Sequence, residues 1–238
     1  MSETASEPAA ADTPVPLSQA TLNGDPSFLR AFSSELHAKV EAFLQEDVKT
    51  ERLRSVQAQT RKSLAIIQEA LDKYRSSSLT STFLFSDTQA DFSAYSLSSL
   101  SLSYNGGKDC LVLLILYLSL ISHHPNLPSL LPAIYIPPMH PFNSVESFVA
   151  SSSKHYHLSL THIQHPSMRL GFTTYLEQYP GVKAILVGTR RTDPHGGDLS
   201  AFDKTDRGWP EFMRCHPVLE WHYAEIWAVG TRWCVKKV

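Results

Sequence analysis

Residues 103–110 read Ser-Tyr-Asn-Gly-Gly-Lys-Asp-Cys and stand between two segments of opposite periodicity. Before them, Tyr95 to Ser103 alternates Leu and Ser with a period of two, as a half-buried strand does. After them, Leu111 to Ile121 is apolar nearly all round, which predicts a buried helix. A chain passing from strand to helix through Gly106-Gly107 has no Cβ to keep a ligand away from its backbone. The amides at the helix start and the positive end of the helix dipole favour an anion there. Lys108 adds a mobile positive charge at the same point. The octet therefore predicts a nucleotide phosphate site built from Ser103, Asn105, Gly106, Gly107, Lys108 and Asp109. The bland alternative is an ordinary tight turn ahead of a buried helix.

The spacing narrows the kind of site. A Walker A loop needs Gly-x-x-x-x-Gly-Lys-Ser/Thr, and a dinucleotide fingerprint needs Gly-x-Gly-x-x-Gly; neither run occurs. The octet instead resembles the pyrophosphate loop of the ATP α-hydrolases, Ser-Gly-Gly-x-Asp-Ser. The resemblance implies cleavage of ATP between its α and β phosphates.

With 238 residues the chain is long enough for one large α/β domain with a real core. A formal net charge of −2 gives no broad basic surface, so no nucleic-acid partner is expected. The apolar run at 111–121 is too short to cross a bilayer, so no membrane partner is expected either. Residues 1–25 are rich in Ala, Ser, Thr and Pro and read as a disordered tail rather than a targeting segment. Cys110, Cys215 and Cys234 form no C-x-x-C pair and are odd in number, which argues against a disulfide framework or a zinc site. A cytoplasmic monomer is the expectation.

Pro26 opens a helix over about Phe28 to Gln45, with Leu29, Phe32, Leu36, Val40 and Phe43 on one face. A second helix is expected from Glu51 to Tyr74, with Leu53, Val56, Leu64, Ile67 and Leu71 inward. Ser76 to Ser81 reads as a loop. Beyond the octet, Ala133–Ile136 is a short apolar strand between prolines. Asn143 can cap a helix that turns Val145, Phe148 and Val149 inward. Leu158–Ile163 is a strand, Met168–Tyr179 a helix, and Ala184–Val187 a buried strand ending at Gly188. Strands alternating with helices predict a parallel, doubly wound sheet behind an N-terminal helical pair. Ligands of such sheets lie at the carboxyl ends of strands, so the Asn105 and Gly188 loops should converge.

A second constellation follows Gly188. It comprises Thr189-Arg-Arg-Thr-Asp-Pro-His, Asp203-Lys-Thr-Asp-Arg-Gly-Trp-Pro, and Met213-Arg-Cys-His-Pro-Val-Leu-Glu-Trp-His-Tyr-Ala-Glu-Ile-Trp. The guanidinium forks of Arg190 and Arg191 suit phosphates. Asp193 and Asp206 can accept from an imide N–H, and Trp209 offers a plane for a flat ring. Against this stand simpler readings: an Asx turn at Asp193, a loop position for His195, an inert buried thiol at Cys110, and core packing for Trp221, Tyr223 and Trp227.

Together, residues 103–110, 188–194, 204–210 and Arg214…Pro217-Val-Leu-Glu-Trp…Ile226-Trp resemble the eukaryotic, fungal-type FAD synthetases, the FMN adenylyltransferases. The resemblance implies an adenine-nucleotide α-hydrolase-like, PAPS-reductase-like α/β fold, ATP and FMN as substrates, and Mg²⁺ with a protein ligand that stays unassigned. It places Asn105 to Asp109 on the ATP phosphates, Gly188, Arg190 and Arg191 along the nucleotide, and Ile136 at adenine. Asp193, Asp206 and Trp209 fall to the flavin. Asn105, Lys108, Asp109 and Arg190 are the implied catalytic set.

Two departures stand out. The family carries acidic residues and His where this chain has Pro137-Pro-Met-His-Pro-Phe. After Ile226-Trp227 the family continues toward a Gly-Tyr-Thr-Ser-Leu-Gly segment, whereas this chain reads Ala228-Val-Gly-Thr-Arg-Trp-Cys-Val-Lys-Lys-Val, with no continuing helix pattern. Residues 26–227 are accordingly expected to form the domain, with 228–238 an atypical tail, a truncation and impaired FMN binding. The rival readings are a sulfonucleotide reductase using Cys234 and a nucleotide-binding remnant without activity.

Overall fold

The computed structural model describes residues 26–74, 76–77 and 95–233. The expected N-terminal tail, residues 78–81 of the expected 76–81 loop and Cys234 lie outside the described residues, while Ser76–Ser77 is a short strand rather than loop. In chain order the elements are α1 (Pro26–Gln45), α2 (Glu51–Lys73), β1 (Ser76–Ser77), β2 (Tyr95–Ser96), a 3₁₀ turn (Leu97–Ser99), β3 (Leu100–Ser103), α3 (Lys108–Ile121), β4 (Leu131–Tyr135), α4 (Asn143–His155), β5 (Leu158–His162), α5 (Met168–Gln178), β6 (Ala184–Leu186), β7 (Phe202–Lys204), β8 (Met213–Cys215) and α6 (Tyr223–Trp233).

The main sheet has the order β5-β4-β3-β6-β8-β7. Neighbouring strands run parallel from β5 to β8, and β7 turns antiparallel against β8 at the edge. The expected doubly wound parallel sheet is therefore present, but the antiparallel edge strand β7 makes it mixed. The chain steps outward from β3 to β4 and β5, then returns to place β6 on the other side of β3. That reversal opens a crevice at the carboxyl ends of β3 and β6, where open α/β sheets bind ligands.

The strand ahead of the octet differs from expectation in two ways. It is interrupted, because Leu97–Ser99 winds into a 3₁₀ turn between β2 and β3. It is also central rather than half-buried. Leu100 and Leu102 face the large core cluster, and the intervening Ser101 is fully buried as well. Ser101 Oγ lies 2.7 Å from Tyr175 Oη of α5, so the serine face is satisfied by a hydroxyl instead of water. Period-two polarity arises here from a polar contact beneath a helix.

α3 is the buried helix expected; residues from Val112 to Leu118 are all fully buried. It packs against α1, α2 and α6 on one face of the sheet. On the other face Phe172 and Tyr175 of α5 join Ile134, Ile185 and Phe212 in a second cluster. α1 buries Leu29, Leu36, Val40 and Phe43 as its periodicity predicts. α2, capped by Thr50 Oγ1 on Leu53 N, rotates away from the expected stripe and buries Gln57, Thr60 and Ser63 beside Val56 and Ile67. The reason is polar: Gln57 Nε2 donates to the carbonyls of Phe43 and Glu46, and Ser63 Oγ to that of Pro217.

α4 begins one residue early, with Phe142 at the cap and Asn143 inside the helix. Val149 is buried as expected, while Val145 and Phe148 are each 37% exposed. α6 runs through Trp233, so the helix continues past Trp227 where the sequence pattern suggested that it stops. Ile226, Val229 and Trp233 face its core side at helical spacing.

Candidate active site

β3 ends at Ser103, and Tyr104 N donates to Ile134 O across the sheet at 2.9 Å. The fully buried Tyr104 ring places its hydroxyl on Ser152 Oγ of α4, 2.8 Å away. This anchors the chain just before it bends. Gly106 takes φ +71°, and a Cβ there would meet Val149 Cγ2 at 2.8 Å, so only glycine suits the position. Asn105 Oδ1 accepts from Gly107 N at 2.8 Å and closes the bend. Gly107 occupies the cap of α3 with no side-chain cap. The first amides of α3 are thus presented at the end of β3, as an anion site requires.

Gly188, at the end of β6, is pressed against the start of α3. Any Cβ on it would fall 2.7 Å from Cys110 Sγ and 3.0 Å from Cys110 N. The two loops expected to converge do so. Cys110 is buried between them, and burial pushes its thiol up to about 11. Cys110 is buried under the helix start, as expected.

A chain of charges crosses the junction. Lys108 Nζ lies 3.0 Å from Asp109 Oδ2, and Asp109 Oδ1 lies 3.2 Å from Arg190 Nε. Arg190 Nη2 lies 3.1 Å from Asp193 Oδ1, and Arg190 N donates to Asp193 Oδ2 at 2.8 Å. Arg190 Nε makes its contact without hydrogen-bond alignment, so that link is Coulombic. The Arg190 and Asp109 side chains are 11% and 18% exposed, so this pairing is weakly screened by solvent. Two cations and two carboxylates balance across the cluster. Lys108, 33% exposed, is its open end.

The remaining candidates scatter. Arg191 turns away from the cluster: its Nε donates to Glu220 Oε1 at 3.0 Å, and Nη1 and Nη2 donate to the carbonyls of Gly197 and Leu199. Its role in the structure is to pin the 190–199 loop. Asp193 forms no Asx turn forward; its carboxylate reaches back to Arg190, while its carbonyl accepts from Gly196 N. His195 sits in that turn with φ +63°. Asp206 is 73% exposed and 3.5 Å from Arg214 Nη1. Trp209 is half-buried with its ring 6.3 Å from that of Phe172. Both stand on the 205–212 connection between β7 and β8, tied to α5 by Arg169 Nη1 donating to Gly208 O. Ile136 follows β4 and packs over Gly171 of α5.

One neighbour of the site, Tyr223, is not the core residue that helical spacing predicts. Tyr223 opens α6 and is 61% exposed, and Lys108 Nζ stands 5.4 Å from its ring centroid. Trp227 is 42% exposed beside it, and only Trp221 of the three aromatics is core. Helical spacing gave the right element but not its outer face. Among the described residues no cluster of three His, Cys, Asp or Glu side chains is arranged to hold a metal, and no helix is long and apolar enough to cross a membrane.

Known proteins share this architecture. Residues 99–173 and 168–237 match the phosphoadenosine phosphosulfate reductase domain. A probable FAD synthase of Schizosaccharomyces pombe is 37% identical over 152 residues, which is 60% of this chain and 57% of that protein. The flavin adenine dinucleotide synthase of Saccharomyces cerevisiae is 36% identical over 170 residues, 63% of this chain and 55% of that protein. The chain thus spans little more than half the length of these relatives. A crystal structure of Candida glabrata FMN adenylyltransferase in complex with FMN and the ATP analogue AMPCPP superposes with a TM-score of 0.71 at 31% identity, covering 84% of this chain and 65% of that one. The match spans the sheet, the Asn105–Asp109 loop and the Arg190 junction, and on it the chain belongs to the phosphoadenosine phosphosulfate reductase domain family.

Proposed function

We propose that this chain is an FAD synthetase, transferring AMP from ATP to the phosphate of FMN with release of pyrophosphate. The observation that carries the proposal is the junction of the uncapped α3 start with Arg190 through Asp109, at the switch point of the sheet. The relatives' names and the FMN and AMPCPP held by the Candida glabrata enzyme support the choice of substrates.

In this reading the amides at 105–109 and Lys108 take the β and γ phosphates and offset the charge that develops on the leaving pyrophosphate. Arg190 faces the α-phosphate, since Arg191 is engaged with Glu220 and loop carbonyls. A phosphate monoester is an adequate nucleophile near neutral pH, so positioning and charge neutralisation suffice without a general base. Mg²⁺ would supply charge neutralisation on the triphosphate, held chiefly by substrate phosphates and water rather than by a protein cage. Asp193, Asp206 and Trp209 form the flavin side, and Ile136 lies toward adenine.

The reductase alternative asks for a reactive thiolate. Among the described residues, Cys110 and Cys215 are buried with thiols pushed up to about 11 and about 12 by desolvation, which disfavours that chemistry at both. The direct test is FAD formation from FMN and MgATP, followed by chromatography with fluorescence detection. MgATP binding without FAD formation would leave a nucleotide-binding protein; thiol-dependent consumption of a sulfonucleotide would replace the proposal.

A further inference from the structure

We propose that Tyr223 is a positioning residue for Lys108, holding its ammonium over the start of α3 where the triphosphate of ATP is taken. The proposal rests on the reading of Lys108 as a phosphate ligand. A lysine has a flexible four-carbon stem and a compact charge, so its head goes where it is attracted. Lys108 has Asp109 Oδ2 at 3.0 Å on one side and the Tyr223 ring 5.4 Å away on the other. The carboxylate alone would draw the ammonium toward the Asp109–Arg190 pair, away from an incoming phosphate. The ring face supplies a second attraction that carries no net charge and does not repel the phosphate as a second carboxylate would.

The exposure of Tyr223 shows that core packing does not explain its place, and the chain on either side is fixed with unusual care. Trp221 is buried, and its Nε1 donates to Ser63 Oγ of α2 at 2.8 Å. Glu225 is 4% exposed; its carboxylate accepts from His222 N at 2.7 Å and from the Ser55 hydroxyl of α2. The first of these is the reciprocal half of a capping box, and the second ties that cap to a neighbouring helix. The start of α6 is thereby clamped to α2 on both sides of Tyr223, and its ring is delivered to the Lys108 side chain. α6 thereby contributes to the phosphate site through Lys108.

The test uses the whole chain, with MgATP binding by titration calorimetry read beside FAD formation. Tyr223→Leu should weaken MgATP binding and raise its KM roughly three- to fivefold, as loss of an exposed cation–π contact does. The KM for FMN and the thermal midpoint should stay unchanged. Tyr223→Phe, which keeps the ring face, should restore MgATP affinity. In a Lys108→Ala background, Tyr223→Leu should have no further effect, since the two residues then form one coupled unit. An unchanged MgATP affinity in Tyr223→Leu, an equal loss for both substrates, or an undiminished effect without Lys108 would each overturn the positioning role while leaving the proposed activity standing. A wild-type chain that fails to bind MgATP at all would remove the phosphate-site reading itself.

Discussion

Gly188 and Cys110 meet with no room for a side chain between them: a Cβ on Gly188 would lie 2.7 Å from Cys110 Sγ and 3.1 Å from Cys110 Cα. The carboxyl end of β6 is thereby held against the first turn of α3, and Arg190, two residues on, reaches Asp109, two residues into that helix. Gly188→Ala pushes against backbone, which cannot swing aside as a long side chain can. Overpacking of this kind costs about 1–3 kcal/mol. The expected outcome is a fall of roughly 2–10 °C in the thermal midpoint together with weaker MgATP binding. A variant that melts and binds like wild type would show that the two loops are not in contact.

Arg190 and Arg191 are adjacent in sequence and opposite in consequence. Arg190 is 9% exposed and bridges Asp109 and Asp193; Arg191 is partly exposed and grips Glu220. Arg190→Ala removes the cation shared by Asp109 and Asp193, leaving Asp109 with Lys108 and Asp193 with the backbone N–H of residue 190, at a cost of about 1–3 kcal/mol. FAD formation should fall more than a hundredfold, and Arg190→Lys should not recover it because a point charge cannot serve both partners. Arg191→Ala should keep FAD formation within a few-fold of wild type, the loop it pins becoming more sensitive to proteolysis. Equal losses of activity at the two positions would reverse the assignment of Arg190 to the site and Arg191 to the scaffold.

The parts of the fold that showed in the sequence are those whose periodicity survives over several turns. α1 and α3 declare their buried faces, and the Gly-Gly bend between β3 and α3 has a composition few other structures need. β7 and β8 did not show, because three residues apiece are too few to express a period of two. α2 misled because its buried stripe includes Gln57, Thr60 and Ser63, and the burial of Gln57 and Ser63 depends on carbonyls distant in sequence. At the site, Asn105–Asp109 and Arg190 were legible as an anion-binding pattern. Which arginine faces inward was not, since that depends on Glu220 and Asp193 competing for neighbouring guanidinium groups. Tyr223 was legible as helical but not as outward-facing, for the Lys108 that draws it lies on another helix.

The cysteines give a chemical check on the packing. With thiols raised to about 11 at Cys110 and about 12 at Cys215, less than one molecule in a hundred carries the thiolate at pH 8 by the ordinary titration relation. Neither should react with iodoacetamide in the native chain over an hour, and both should react after unfolding in guanidinium. Peptide mass spectrometry separates these two from Cys234. Rapid native labelling at Cys110 would mean that the α3 start opens readily, contrary to its tight contact with Gly188.

His216 makes stability depend on pH with a definite sign. Its ring is buried with neither nitrogen hydrogen-bonded, Nε2 lying 3.8 Å from Asp203 Oδ2; desolvation lowers it to about 4, Asp203 opposing and Arg214 reinforcing the shift. The folded state therefore prefers the neutral ring. Its contribution is fully present above about 6.5, the unfolded value, and is lost as pH falls from there toward 4, at up to about 1.4 kcal/mol per pH unit. The urea midpoint should drop between pH 6.5 and pH 4.5, and His216→Asn should flatten that slope even if it lowers the midpoint throughout. An identical slope in wild type and variant would assign the acid sensitivity to other groups.

Trp209 and Asp206 carry the flavin half of the proposed reaction and can be separated from the nucleotide half by kinetics. They stand on the β7–β8 connection, on the side of the sheet covered by α5, whereas Lys108 and Tyr223 lie on the side covered by α2, α3 and α6. A substrate spanning the crevice would meet Trp209 and Asp206 with its flat ring and Lys108 with its phosphates. Trp209 is partly exposed, and its ring is tilted at 50° to that of Phe172 rather than stacked on it. Removing such a stacking plane costs about 1.5 kcal/mol, roughly tenfold in affinity. Trp209→Ala should therefore raise the KM for FMN about tenfold and leave MgATP binding by calorimetry unaltered; Trp209→Phe should recover most of the loss. Asp206→Ala should act in the same direction, with no fall in the thermal midpoint because the carboxylate is largely in solvent. If MgATP binding weakens in either variant as much as FMN binding does, the two halves of the crevice are not divided in this way and the flavin must lie nearer to α3.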